Sequence, residues 1–182
     1  MPSRRCAGRF ASTAASTICS RRFARCGASS RAASNAVRFP GDVLRPAVAE
    51  AGAVIDTAPL LAYLSGVRRD LGRGALRILR QAETGRIRLA VPTVCLFEVG
   101  QLEERRRIGL GVTFEQWCDL VETAPALLVT PLERAHVSEA RALPTLRDPF
   151  DRLIAGTAVA LGLPLVTPDA RIAEARRVRV VW

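Results

Sequence analysis

The sequence predicts an α/β protein with a central, mainly parallel sheet of about five strands and helices on both faces. Two patterns carry this prediction. Short apolar segments rich in Val, Ile and Leu alternate along the chain with longer amphipathic segments, which is the arrangement of strand–helix–strand units. The segment boundaries carry Gly, Pro, Thr or Asp, residue types that begin or end helices. Both patterns start near Ala53 and continue to Trp182.

Five short apolar segments have the composition of buried strands. They are largely apolar runs, which are typical of parallel strands that are covered on both faces. The predicted strands are residues 53–57, 87–91, 127–130, 164–167 and 178–182.

Helical segments fill the intervals between these strands. They begin with residues 59–64 and continue with 74–85, 94–107, 114–123, 132–143, 148–162 and 170–176. In the second of them, Leu76, Leu79 and Ala82 share one face and Gly85 supplies a stop. We expect the third to end near Gly109. Thr113 is placed to cap the fourth.

The chain divides into two unlike parts, residues 1–52 and residues 53–182. The formal net charge is +10, and all 27 basic residues are Arg. Residues 1–50 carry nine Arg and two acids, a net charge of +7, whereas residues 51–182 carry eighteen Arg and fifteen acids, a net charge of +3. A basic chain can bind a polyanion, but a domain at +3 could equally be any soluble enzyme.

Residues 1–52 are expected to be disordered and to contribute nothing to the fold. They are rich in Arg, Ser and Ala, and their apolar residues follow neither the helical nor the strand period. This composition fits a targeting segment, a flexible nucleic-acid-binding arm, or upstream DNA translated in frame from a start codon assigned too early. The sequence leaves these three interpretations open.

Cysteine and histidine usage excludes several classes of site. The five Cys include no Cys-x-x-Cys pair, and His136 is the only histidine. A Cys/His zinc site and a Ser-His or Cys-His catalytic pair are therefore not expected. We expect Cys95 and Cys118 to be small core residues and His136 to lie on the surface. No apolar run is long enough to span a membrane, and a reducing cytoplasm suits this chain best.

Four acidic residues follow or flank the predicted strands. Asp56 ends the first strand, and Asp169 directly follows the fourth. Glu98 lies one or two turns into the helix after the second strand, and Asp151 lies in the first turn of the helix before the fourth. Because the carboxyl ends of parallel strands meet at one edge of a sheet, we expect all four side chains in one crevice.

Clustered carboxylates need compensation. Two like charges about 4 Å apart repel by about 4 kcal/mol at an effective dielectric constant of about 20. Shifted pKa values or a bound divalent cation relieve this repulsion, and all-oxygen ligands favour Mg²⁺ or Mn²⁺ over Zn²⁺. Taken alone, Asp56 or Asp169 could instead be a helix N-cap or a solvated loop residue.

Three motifs taken together resemble a known family. They are VIDTAPLLAYL, the acid-containing VPTVCLFEVGQL, and RDPFDRLIAGTAVALGLPLVTPDARI. Over residues 53–182 the chain resembles PIN domains, and among them most of all the VapC-type toxins of prokaryotic type II toxin–antitoxin modules. Pro168 departs from the pattern, because many relatives carry a polar or basic residue there. The long N-terminal segment is the other departure.

This resemblance implies a PIN-like three-layer α/β/α fold and a metal-dependent endoribonuclease that hydrolyses RNA phosphodiester bonds. The catalytic acids, which would also be the ligands of Mg²⁺ or Mn²⁺, are then Asp56, Glu98, Asp151 and Asp169. Asp56 and Asp151 would bind the cation directly, and the other two would complete the site or act through water. Thr57 and Thr167 match the hydroxyl residues that the family often places beside these acids.

Partners also follow from the resemblance, which implies an RNA substrate, a cognate antitoxin protein and a homodimer. Apolar helices near residues 58–66 and 92–102 are expected to form a groove for an amphipathic antitoxin segment. Arg147 and Arg152 flank the acids and could neutralise RNA phosphates, or lie on the surface.

Two alternatives to the endoribonuclease function remain. One is a non-catalytic PIN-like module that binds RNA or protein, and the other is a phosphotransfer enzyme with Asp56 as nucleophile. The latter usually needs a Lys late in the chain, which this sequence lacks.

The motif RDPFDR offers two candidate metal ligands. Asp148 precedes Pro149, and Pro is favoured at the first helical position, so Asp148 is expected to be the N-cap. Asp151 then falls at the third helical position, near the positive end of the helix. We therefore expect Asp151 to be the ligand, although it could be only the acid of a capping box.

Overall fold

The computed structural model describes residues 50–182. The disorder expected over residues 1–52 lies outside the described residues, except at its end, where Ala51 and Gly52 belong to the first strand. The strands are β1 (Ala51–Ile55), β2 (Arg88–Pro92), β3 (Leu127–Thr130), β4 (Leu165–Val166) and β5 (Val180–Val181). The helices are α1 (Thr57–Ser65), α2 (Arg73–Glu83), α3 (Thr93–Glu104), α4 (Phe114–Thr123), α5 (Arg134–Arg141), α6 (Pro149–Leu161) and α7 (Ala170–Glu174).

All five strands are parallel, in the spatial order β3-β2-β1-β4-β5. The chain runs outward from β1 through β2 to β3 and then returns to β4 on the other side of β1. In open parallel sheets, such a reversal leaves a crevice at the carboxyl ends of the two strands that flank it. Ile55 of β1 lies beside Val166 of β4. The residues that follow these two strands, Asp56 and Thr167, therefore stand on either side of the crevice.

The core is formed by strands that are buried on both faces. Ala53, Val54 and Ile55 of β1 have no solvent exposure, and neither do Leu165 and Val166 of β4. This burial explains why β1 and β4 are apolar, since neither face of these strands meets water. The edge strands β3 and β5 are partly exposed. The predicted α/β class, with a mainly parallel sheet of about five strands, is confirmed, and the five strands are parallel throughout.

Helix α6 begins and ends where the sequence indicates. Pro149 occupies its first position, and Asp148 Oδ1 accepts a hydrogen bond from the backbone N–H of Phe150 at 2.8 Å. Gly162 ends the helix with a left-handed φ of 65°, a conformation that glycine adopts without steric strain. The predicted N-cap role of Asp148 is confirmed. None of the helices within residues 50–182 is long and apolar enough to cross a membrane.

The structure corrects the predicted end of α3. The helix stops at Glu104 instead of continuing toward Gly109. Arg106 adopts a left-handed φ of 54°, and its N–H donates back to the carbonyl of Glu103 at 2.7 Å. The N–H of Arg107 donates to the carbonyl of Leu102 at 2.9 Å. These bonds satisfy carbonyl groups at the helix end and turn the chain away from the helix axis.

The expected surface position of His136 is wrong. Its exposed fraction is 3%, and its Nδ1 accepts a hydrogen bond from the backbone N–H of Glu133 at 3.0 Å. Desolvation by burial lowers the pKa of His136. The histidine is therefore part of the N-terminal capping arrangement of α5. Cys95 is fully buried, and Cys118 packs partly buried against the core, as the sequence predicts.

Candidate active site

Asp56 lies in the crevice between β1 and β4 and begins α1. Its side chain is 8% exposed. Its Oδ1 accepts a hydrogen bond from the backbone N–H of Thr57 at 2.7 Å, and its Oδ2 accepts one from Thr167 Oγ1 at 2.6 Å. Desolvation raises the pKa of Asp56, and the nearby charges of Asp169 and Asp148 raise it further, while the two hydrogen bonds lower it.

Glu98 reaches the same crevice from α3. Its Oε2 accepts a hydrogen bond from Thr57 Oγ1 at 2.7 Å. Thr57 therefore binds two acids at once, Asp56 through its backbone N–H and Glu98 through its hydroxyl. Burial raises the pKa of Glu98 and the negative charge of Asp56 adds to the effect, whereas the hydrogen bond from Thr57 lowers it.

Asp169 follows β4 and caps α7. Its Oδ1 accepts a hydrogen bond from the backbone N–H of Arg171 at 2.8 Å, and its own N–H donates to Thr167 Oγ1 at 3.1 Å. The Nε of Arg171 lies 3.1 Å from both carboxylate oxygens of Asp169. The hydrogen bond from the Arg171 guanidinium is the main reason that the pKa of Asp169 is lowered.

Asp151 lies in the first turn of α6, at the third helical position. The Nη2 of Arg171 is 3.1 Å from its Oδ2. Burial raises the pKa of Asp151 to about 7, and the charges of Asp148, Asp56 and Asp169 act in the same direction, while Arg171 opposes them. The pKa of Asp151 is therefore raised mainly by burial and in part by repulsion from three neighbouring acids.

The structure brings the four predicted acids into one crevice, where they act on one another electrostatically. The two hydroxyl residues named with them, Thr57 and Thr167, donate hydrogen bonds to Glu98 and Asp56. The crevice lies at the reversal of strand order, which is the usual place for a ligand in an open parallel sheet. The arrangement is therefore a candidate active site.

The two arginines that flank the acids in the sequence do not meet them. The Nε of Arg152 donates to the carbonyl of Ala140 on α5 at 3.2 Å, and Arg147 is exposed. The guanidinium that contacts the acids belongs instead to Arg171, which the sequence analysis did not single out. Its position two residues after Asp169 could have predicted this contact, because a side chain in the first turn of a helix can reach back to the acid that caps the helix.

The chemistry of the donor set fits a hard divalent cation. Every candidate ligand is a carboxylate oxygen, the donor that Mg²⁺ and Mn²⁺ prefer, and three of the four acids have raised pKa values that a cation would relieve. Within residues 50–182, no three Asp, Glu, His or Cys side chains already converge as a metal cage. The acids thus fit the ion by type and location, and their side chains would have to move closer together to hold it.

Comparisons with known proteins agree with this picture. Residues 53–178 match the family model of the PIN domain. The chain is 38% identical over 99 residues to Ribonuclease VapC22 of Mycobacterium tuberculosis, a match that covers 52% of this chain and 74% of that relative. It also resembles the crystal structure of VapBC2 from Rickettsia felis bound to a promoter DNA fragment, with a TM-score of 0.51 and 14% identity over 70% of this chain and 96% of that one. The structural likeness shows the fold alone, whereas the family model covers most of the described residues. This chain belongs to the PIN domain family.

Proposed function

We propose that this protein is a metal-dependent endoribonuclease and the toxin component of a type II toxin–antitoxin module. The observation that carries the proposal is the crevice in which Asp56, Glu98, Asp151 and Asp169 meet at the carboxyl edge of a PIN-domain sheet. The relative of 38% identity is named a ribonuclease, which supports RNA as the substrate.

In this function the four acids would hold a Mg²⁺ or Mn²⁺ ion. Asp56 and Asp151 would bind it directly, and Glu98 and Asp169 would complete the site or act through water. Thr57 and Thr167 orient the carboxylates of Glu98 and Asp56 through the hydrogen bonds described above. What such a cation supplies when bound is Lewis acidity, which acidifies water and stabilises negative charge on an attacked phosphate.

The protein contributes position and charge to this reaction. The chain contains no Lys, and its one histidine is buried with Nδ1 bonded to the backbone of Glu133. Both oxygens of Asp56 accept hydrogen bonds, which makes it a poor covalent nucleophile. Hydrolysis by water is the chemistry that these side chains support, because among residues 50–182 the groups that meet in the crevice are the four carboxylates and the Arg171 guanidinium, which stays protonated.

Cleavage of a structured RNA by the purified full-length chain tests the proposal. We expect cleavage with Mg²⁺ or Mn²⁺ and none with EDTA. Glu98→Gln keeps an oxygen that can accept the Thr57 hydrogen bond but removes the charge, so it should reduce cleavage by about 100-fold or more. Glu139→Gln, which removes an exposed acid paired with Arg177, is the matched control. Metal-independent cleavage, or tight RNA binding without cleavage in any metal, would contradict the proposal.

We also propose an antitoxin protein and a second copy of this chain as partners. Phe97 on α3 is 59% exposed, and its ring lies 5.9 Å from that of Phe150 on α6. Large apolar side chains that are exposed beside a functional site often mark a protein interface. The pair belongs to the surface that includes residues 92–102, one of the two helical segments, with residues 58–66, that the sequence predicts to form an antitoxin groove.

Expression of the protein alone tests the toxin assignment. We expect growth arrest of the host cell and a dimer by light scattering, and we expect Glu98→Gln to dimerise without arresting growth. Phe97→Ser should weaken association with an antitoxin, whereas Leu132→Ser, at another exposed apolar residue, should not. A monomer that leaves the host unharmed would contradict the toxin assignment even if the nuclease activity is present.

A further inference from the structure

Arg171 holds two of the four acids of the candidate active site. Its Nε lies 3.1 Å from both oxygens of Asp169, its Nη2 lies 3.1 Å from Asp151 Oδ2, and Nη2 also contacts Asp169 Oδ2. One guanidinium group thus bridges the residue that caps α7 and the residue in the first turn of α6. The fork of donors on Arg suits such a double contact, which a point charge could not make in the same way.

The Arg171 guanidinium is also the main positive charge that offsets the negative charge of the acids at the site. Asp56 and Glu98 accept hydrogen bonds from neutral groups only, and among residues 50–182 Arg171 is the one basic side chain in an ion pair with any of the four acids. The side chain of Arg171 is nevertheless 65% exposed. The carboxylate side chains of Asp151 and Asp169 are only 21% and 18% exposed. The guanidinium itself can therefore return to water with a small penalty, whereas the carboxylates would need another cation in its place.

We propose that Arg171 is a built-in competitor of the divalent cation. It neutralises Asp151 and Asp169 while the site is free of metal, and it moves away when the ion binds. This inference rests on the proposed function, because it concerns the same acids. A guanidinium N–H and a metal ion compete for the same carboxylate lone pairs, and two cations in one crevice repel each other. The arginine therefore lowers the apparent affinity for the metal and keeps the acids from repelling one another without it.

Calorimetric titration of the metal-stripped, full-length chain with Mn²⁺ tests this competition. Arg171→Gln should bind Mn²⁺ about tenfold more tightly than the unaltered chain, because the guanidinium no longer competes for the carboxylate oxygens and one net interaction with a charged group is worth about one factor of ten in affinity. Arg177→Gln removes the same charge from an exposed pair with Glu139, whose N···O distance is 2.9 Å. This control separates the local competition from the general effect of net charge, and it should bind Mn²⁺ nearly as the unaltered chain does.

Two further measurements, the Mn²⁺ affinity of a second variant and the Tm of Arg171→Gln, keep the test valid even if Arg171→Gln folds poorly. Arg171→Lys retains the charge without the fork, so its Mn²⁺ affinity should lie between those of Arg171→Gln and the unaltered chain. Without metal, Arg171→Gln should have a lower Tm, and Mn²⁺ should raise that Tm by more than it raises that of the unaltered chain.

The outcomes distinguish this inference from the proposed function. Mn²⁺ binding that is equal or weaker in Arg171→Gln and Arg171→Lys overturns the competition and leaves the proposed metal site intact. Tightening of the same size in Arg177→Gln also overturns it, because the effect would then be one of net charge. If no form of the chain binds Mn²⁺, the proposed metal-dependent function fails and the competition fails with it.

Discussion

At the scale of single residues, two threonines connect the acids to the fold. Thr167 has no solvent exposure; its hydroxyl donates to Asp56 Oδ2 and accepts a hydrogen bond from the N–H of Asp169. One buried hydroxyl thus links the residue after β1 to the residue that begins α7. Removing a hydrogen-bond donor from a buried carboxylate lowers the free energy of unfolding, because water cannot replace the lost hydrogen bond.

Replacing Thr167 tests this link. Thr167→Val keeps the shape of the side chain but removes the hydroxyl, so we expect a loss of about 1–3 kcal/mol in the free energy of unfolding. Thr167→Ser retains the hydroxyl and should lose less. Urea denaturation of the two variants measures the difference. Equal stability of the two would show that the hydrogen bond to Asp56 contributes nothing measurable.

The two acids of the RDPFDR motif have different roles, so substitutions at the two positions should have different effects. Asp148→Asn keeps an oxygen that can accept the Phe150 N–H and should change stability by no more than a few tenths of a kcal/mol. Asp151→Asn should fold but lose Mn²⁺ binding and RNA cleavage, because a metal ligand needs the negative charge. Calorimetric Mn²⁺ titration of both variants decides between them. Binding that is abolished by Asp148→Asn and retained by Asp151→Asn would reverse the assignment.

At the scale of secondary-structure elements, the close packing of α5 against α6 depends on a missing side chain. Gly156 lies in the middle of α6, where Gly is unfavourable for a helix by about 1 kcal/mol relative to Ala. A Cβ at this position would lie 2.6 Å from the carbonyl oxygen of His136 and 2.6 Å from the backbone N of Ala140, both on α5. Glycine is therefore required by the close approach of the two helices.

Gly156→Ala should destabilise the protein although Ala is the better helix former. The contact is with backbone atoms, so the two helices must separate, and we expect a loss of about 1–3 kcal/mol. Gly109→Ala is the control, since a Cβ there meets nothing within 4 Å and its φ is not positive. Thermal denaturation of both variants measures the effect. A Gly156→Ala variant that melts at or above the temperature of the unaltered chain would contradict the packing argument.

At the scale of the whole molecule, the parallel sheet gathers acids from distant parts of the chain at one edge. Asp56, Glu98 and Asp151 have raised pKa values, mainly through burial. A folded state with raised carboxyl pKa values binds more protons than the unfolded chain does. Its stability is therefore full at acidic pH and falls as the pH rises through the folded-state pKa values. Asp169, whose pKa is lowered, acts in the opposite direction and only at more acidic pH.

The stability of the metal-free protein should therefore decrease with increasing pH. For Asp151 the decrease lies between its ordinary pKa of 3.8 and its folded-state value of about 7. Asp151→Asn removes that part of the slope, so its stability relative to the unaltered chain should improve as the pH rises from about 4 to about 8. Denaturation in EDTA across this range measures both slopes. Parallel stability curves for the two proteins would show that Asp151 titrates normally in the folded state.

Several features could be predicted from the sequence because their signals are local. The strands appear as short, largely apolar runs, and the start of α6 appears as Asp148-Pro149, since caps and buried strands depend on residue types a few positions apart. The position of Asp56, Glu98, Asp151 and Asp169 at one edge of the sheet follows from one general rule, that parallel strands end at a common edge. The resemblance of the motifs to PIN domains pointed to the same four acids.

Other features were decided only by tertiary structure, because they depend on which side chains meet across the fold. The burial of His136, the requirement for Gly156 and the turn of Arg152 toward Ala140 all arise where α5 packs against α6. Arg171 reaches Asp151 across twenty positions of sequence. Sequence by itself determined the fold class and the edge of the sheet at which the four acids lie, through local composition and strand direction. Tertiary packing determined that the Arg171 guanidinium is the positive group that contacts those acids. The contacts of a long, flexible side chain are fixed only after the helices and strands have packed together.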